Sequence, residues 1–101
     1  MSNKRQRNTT INGETWDDTT KKMVWSKGIV IENYPTEEWR LDYTGMIMQY
    51  SKFGAGSDYS WEIDHMKPVC VDGTDDITNL QPLNHQRNIQ KGDELNWVCP
   101  E

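Results

Sequence analysis

Both histidines of this 101-residue chain fall within the stretch WEIDHMKPVCVDGTDDITNLQPLNHQRNIQKGD, positions 61 to 93. Asp64 carries a hard carboxylate oxygen and Asn88 an amide oxygen, and both donors suit Mg²⁺ or Mn²⁺ better than a soft metal. The end of a strand and one face of a facing helix can bring two such residues to a single ion. Two protein donors leave coordination positions for water and a phosphate oxygen, as an open catalytic site requires. His65 follows Asp64 directly. An imidazole with an ordinary pKa near ~6.5 can take a proton from water at neutral pH, which makes His65 the candidate general base.

The elements that must hold these groups can be read around them. Trp61-Glu62-Ile63-Asp64-His65 alternates apolar and polar, so it predicts a strand with Trp61, Ile63 and His65 on one face and Asp64 on the other. That strand should end near Pro68. Residues 69–76, with Gly73 and three aspartates, form a loop, and 79–83 is a second short strand that Pro82 limits at its end. A helix then runs through Asn88 to Lys91 with Gly92 as its C′ residue. Asn84 is either its N-cap or a further metal donor, and Asn is among the best capping residues. Asn84, Asn88 and Lys91 share one helix face. Arg87 and Lys91, with Lys67 two residues beyond the base, are candidate phosphate contacts, although exposed cations also serve solubility. His85 lies three residues from Asn88, is read as an ordinary surface residue and receives no ligand role.

Upstream, residues 1–14 are polar and read as a flexible arm carrying Lys4, Arg5 and Arg7. The run MVWSKGIVIENY after Lys22 predicts two short strands joined at Lys27-Gly28. Thr36 with Glu37, Glu38 and Trp39 suggests a capped helical turn, residues 46–53 a half-buried strand, and 54–57 a flexible connection.

Asp64-His65, Pro68, Gly73, Asn79-Leu80, Leu83, Asn88 and Lys91-Gly92 together resemble the HNH endonuclease family. Fourteen residues separate His65 from Asn79 and nine separate Asn79 from Asn88. The resemblance covers 61–93 and extends loosely upstream to Arg40, Asp42, Gly45 and the strand from Met46. It implies an α+β fold, a small single domain over residues 15–101 with a ββα-metal (His-Me finger) core at about 61–93, preceded by strands and a short helix. It also implies a metal-dependent DNA endonuclease that uses one Mg²⁺ or Mn²⁺ and leaves 5′-phosphate and 3′-hydroxyl ends. Asn79 then corresponds to the residue that fixes the long loop and helps orient the histidine. Relatives that bind a structural zinc use paired cysteines. The corresponding places here are Thr44, Asn84 and Arg87, so no structural zinc is predicted.

A net charge of −5 argues against coating nucleic acid by charge alone and disfavours a basic nuclease toxin. DNA remains the implied partner, reached through a homodimer or a larger nucleoprotein machine. The alternative is a catalytically idle ββα module that binds nucleic acid or a protein partner in a phage or restriction assembly. Only 34% of residues are hydrophobic, and five tryptophans must supply much of the core. Cys70 and Cys99 lie outside any CxxC spacing and read as unpaired thiols, a bridge between them being the other reading. With no long apolar run, the expectation is a cytoplasmic, reducing location without a membrane.

Overall fold

Trp61 sets the centre of the core. A computed structural model describes residues 5–94. In it the Trp61 ring is fully buried, with Phe53, Trp25 and Tyr50 ring centroids 4.8, 5.0 and 5.6 Å away. Its indole N–H donates to the Tyr50 carbonyl at 3.0 Å, so the polar end of the ring is satisfied inside the core. Trp16, Val24, Met48, Ile63 and Leu80 complete the buried cluster. With so few aliphatic residues available, large rings from three elements and the segments beside them do the filling.

The first of these elements is a helix where strands are expected. Helix α1 (Asp18–Trp25) begins because the Asp17 side chain accepts from the Thr20 N–H at 2.7 Å. Asp18 stands at the positive end of the helix and Lys22 in its last turn, as the helix dipole favours. The β-branched and aromatic content after Lys22 therefore predicts the wrong element, because the cap five residues earlier had already committed the chain to a helix. Val24 and Trp25 face the core, and Lys27-Gly28 forms the turn that ends the helix. Only Ile29–Val30, strand β1, is extended.

Strands β1, β2 (Trp39–Leu41) and β3 (Ile47–Gln49) make an antiparallel sheet in sequence order. The helical turn expected at Thr36 is a single turn on the Pro35 carbonyl, after which Trp39 enters β2. The strand expected over 46–53 stops at Gln49 and gives way to a 3-10 turn, Tyr50–Lys52. Between β2 and β3 the chain reverses through Gly45, whose φ of +91° is a conformation that a side chain would disfavour. Asp42 opens this turn. It is fully buried: Oδ1 accepts from the Thr44 N–H and hydroxyl and from the Met46 N–H, and Oδ2 accepts from the Asn84 N–H.

The second sheet pairs β4 (Trp61–His65) with β5 (Leu80–Asn84), and α2 (His85–Glu94) follows at once. This is the ββα order. Helix α2 continues past Gly92 to Glu94 instead of ending there. Pro82 lies inside β5, opposite Ile63, and does not limit the strand. The bonds Met66 N–H to Asn79 O and His85 N–H to Ser60 O fix the alternation of the ladder, which makes Ile63 and Pro82 a pair that exchanges no backbone bonds. The missing proline donor points outward, so no ladder bond is lost. Between β4 and β5 the long loop closes tightly at Gly73, where a Cβ would lie 1.7 Å from the Lys67 carbonyl oxygen. Only glycine fits there.

Cys70, in a 3-10 turn of this loop, is disulfide-bonded. The expectation of an unpaired thiol does not hold for it, since sequence spacing does not reveal which thiols a fold brings together; Cys99 lies outside the described residues. The reducing compartment expected from free thiols loses that support. Among the described residues no helix is long and apolar enough to cross a membrane.

Candidate active site

Asp64, His65, Asn88 and Lys91 line one cavity of about 290 Å³, together with Arg5, Arg7, Asn8, Ile63 and Pro68. β4 supplies the first two and α2 the next two. Ile63 also comes from β4, and the rest from the arm and the start of the loop. Asp64 Oδ2 accepts from the cross-strand Gln81 amide at 2.8 Å and from the Lys91 ammonium. Lys91 also reaches the His65 carbonyl at 3.3 Å. Among the described residues nothing bonds to Asp64 Oδ1.

His65 is 6% exposed, its Nε2 lies 2.8 Å from Asp75 Oδ1, and the Trp16 ring packs at 5.7 Å. A carboxylate can only accept, so Nε2 is the donor, and in the neutral ring Nδ1 carries the lone pair, which no described group claims. Asp75 is held in turn by the Ile11 N–H, 3.2 Å from both of its oxygens.

Asn88 is buried and donates Nδ2–H to Glu62 Oε1 at 2.7 Å, leaving Oδ1 unclaimed. Glu62 also takes Arg7 Nε at 2.7 Å and Arg7 Nη2 at 3.3 Å, and its Oε2 lies 2.8 Å from His85 Nδ1. Burial alone would raise the Glu62 pKa. The hydrogen bonds from Arg7, His85 and Asn88, with the Arg7 charge, outweigh burial and hold it below the ordinary glutamate value. His85 is therefore half-buried against a carboxylate, not the ordinary surface residue expected.

Asn79 spans the loop. Its Oδ1 accepts from the Lys67 N–H at 2.8 Å, and Nδ2 donates to the Thr74 carbonyl at 2.9 Å and the Lys67 carbonyl at 3.2 Å. Every one of these bonds is to backbone, so the side chain fixes the path of the segment that follows His65. Asn84 is fully buried, with Oδ1 accepting from the Gln86 N–H at 2.9 Å and Nδ2 donating to the Ile47 and Asp58 carbonyls. Both ends of its amide are engaged, which favours the cap over a further metal donor. Thr44 and Asn84 are bridged by Asp42. Lys91 lines the cavity, but Arg87, which bonds to Gln90, and the exposed Lys67 are not among its lining residues.

Four participants escape sequence reasoning. Glu62 shares the polar face of β4 with Asp64, a period-2 signal that was available. Asp75 had no such mark, because nothing local separates it from Asp72 and Asp76. Arg5 and Arg7 belong to the arm, whose described part is tied down: Asn8 Oδ1 accepts from the Ile63 N–H at 2.8 Å and Arg7 forks onto Glu62.

Among the described residues no three His, Cys, Asp or Glu side chains gather as a metal cluster. The pair on offer is one carboxylate and one amide oxygen on a shared cavity, a donor set that fits a hard divalent cation in an open site and does not fit a closed thiolate site. No curated protein and no solved structure matches the chain. Residues 51–94 do match the family model described as HNH endonuclease, and that span takes in β4, the loop, β5 and α2. In element order, in loop and in match alike, the segment 51–94 is similar to the HNH endonuclease family.

Proposed function

We propose that the chain is a divalent-metal-dependent DNA endonuclease in which Asp64 and Asn88 hold the ion, His65 is the general base and Asn79 fixes the loop that carries it. One observation supports this above others: Asp64 Oδ1, His65 Nδ1 and Asn88 Oδ1 are the unclaimed acceptors of three residues that line one cavity beside Arg5 and Lys91. The ion, Mg²⁺ or Mn²⁺, supplies Lewis-acid charge at a phosphate oxygen when bound. His65 Nδ1 takes the proton of the attacking water, and the Asp75 carboxylate on Nε2 steadies the imidazolium that results. Lys91 and Arg5 lie where phosphate oxygens would enter, and the charges of Asp64 and Asp75 both act on Arg5. By the family resemblance, in-line attack of that water on phosphorus would break the bond to the 3′ oxygen, which leaves and takes up a proton, giving 5′-phosphate and 3′-hydroxyl ends. With a net charge of −5, firm DNA binding would call for a homodimer or a larger nucleoprotein machine.

The Lys91–Asp64 ion pair favours a second reading, a catalytically idle ββα module, because the ammonium already neutralises the carboxylate. Incubation of purified protein with supercoiled plasmid and Mg²⁺, Mn²⁺ or chelator separates the two. Nicked or linear plasmid that disappears with chelator is the expected result. Plasmid left intact with every metal, while DNA binding survives, would establish the idle module.

A further inference from the structure

An asparagine amide is two-faced, and a hard cation takes only its oxygen. Something must decide which face of Asn88 meets the cavity. Glu62 lies behind it with a side chain only 5% exposed. Its Oε1 receives Arg7 Nε and Asn88 Nδ2, and its Oε2 receives Arg7 Nη2 and His85 Nδ1. Each oxygen thus faces two donors, and a carboxylate so placed has only lone pairs to offer. Rotating the Asn88 amide by half a turn would set its oxygen against Oε1, acceptor facing acceptor. With Nδ2 held by Glu62, Oδ1 lies on the other side of the amide and accepts from no described group.

We propose that Glu62 is a positioning residue: through its hydrogen bond to Asn88 Nδ2 it locks the amide so that Oδ1 is presented to a divalent cation shared with Asp64. Glu62 acts through Asn88 and touches neither ion nor substrate. Arg7 and His85 hold Glu62 in place, so one carboxylate links the arm and the start of α2 to the ligand. The inference rests on the reading of Asp64 and Asn88 as ligands, and it adds the residue that orients one of them.

The test is a double-mutant cycle read by calorimetric Mn²⁺ titration, with thermal melts to confirm folding. Glu62→Gln keeps the shape but can present either an oxygen or an NH₂ to Asn88, so the lock is lost and Mn²⁺ affinity should fall about 10- to 100-fold, as for other residues that orient metal ligands. Asn88→Ala leaves no amide to orient while Asp64 remains as donor, so any residual Mn²⁺ affinity can be compared with and without Glu62. In that background Glu62→Gln should change affinity less than about threefold, well inside the effect in the native background. A purely structural role for Glu62 would weaken binding equally in both backgrounds, and that result overturns the proposal. If wild type binds Mn²⁺ and Glu62→Gln binds it equally well, the positioning role fails while the metal reading stands. If wild type binds no Mn²⁺, the metal reading fails and the positioning role falls with it. Should Glu62→Gln not fold, the side-chain amide signals of wild-type Asn88 decide the matter. Protons slowed in solvent exchange, with and without diamagnetic Mg²⁺, are expected, and freely exchanging protons overturn the lock.

Discussion

At the residue scale, Asp64 and His65 are neighbours with different proposed duties, and substitution should separate them. Asp64→Ala is expected to lose both Mn²⁺ binding and plasmid cleavage. His65→Ala should bind the ion as wild type does yet cleave roughly 10²–10⁴ times more slowly, the usual loss when a general base is removed. Near wild-type cleavage by His65→Ala would remove it from the role. These two residues, with Asn79 and Asn88, were legible because a ββα site takes its groups from fixed points along a short segment, and chain spacing survives in the sequence. Glu62 and Asp75 were harder. Their significance lies in what they touch across 23 to 64 residues of chain, in Arg7, His85 and Ile11, and such pairings leave no local pattern. The Glu62 carboxyl also makes an acid prediction. Its folded-state pKa is depressed, so the stability it contributes is fully present above its ordinary value of 4.5 and is lost as pH falls through the depressed one. Urea melts of wild type and Glu62→Gln should therefore show a stability gap that is constant at neutral pH and closes below about pH 4.5. A gap that widens in acid would reverse the assignment.

At the element scale, the two sheets are held in register with one another by Asp42. Its four accepted hydrogen bonds join the β2–β3 turn to the N-terminal end of α2, across the places where zinc-binding relatives are expected to carry cysteines. Asp42→Asn would turn an NH₂ toward backbone donors, and the expected cost is roughly 3 kcal/mol, from lost bonds to a charged acceptor and at least one orphaned N–H. Chemical denaturation measures it directly, and a loss under ~1 kcal/mol would show that the turn and helix do not depend on this carboxylate. Sequence reasoning does well on β4, β5 and α2, where alternation, a capping asparagine and motif order agree. It fails on α1, where the eight-residue helix has a weak apolar stripe and its strongest signal is the single cap at Asp17. Pro82 stays inside β5 because the ladder needs a donor at only every second position, so proline there is no strand terminator.

At the scale of the whole molecule, an acidic chain presents a cavity whose cations are Arg5, Arg7 and Lys91. Lys91→Ala and Arg5→Ala are each expected to flatten the salt dependence of DNA binding by roughly one counterion, while Arg87→Ala, turned toward Gln90, should change it less. Equal slopes across a salt series for all three variants and wild type would mean that DNA approaches by another face. The arm also borders β4 on the side opposite β5, and this gives one backbone proton a distinct kinetic meaning. Among the described residues the Ile63 amide is capped by the Asn8 side chain alone, while its neighbours in the ladder pair with β5. Detachment of the arm would free that proton without unzipping the sheet, so its native-state hydrogen exchange should track arm opening at low denaturant, while Asp64 and Glu62 amides exchange only through larger openings. Asn8→Ala should speed exchange at Ile63 alone. The same strand would then hold a slow clock for the fold and a fast one for the arm that closes over the cavity.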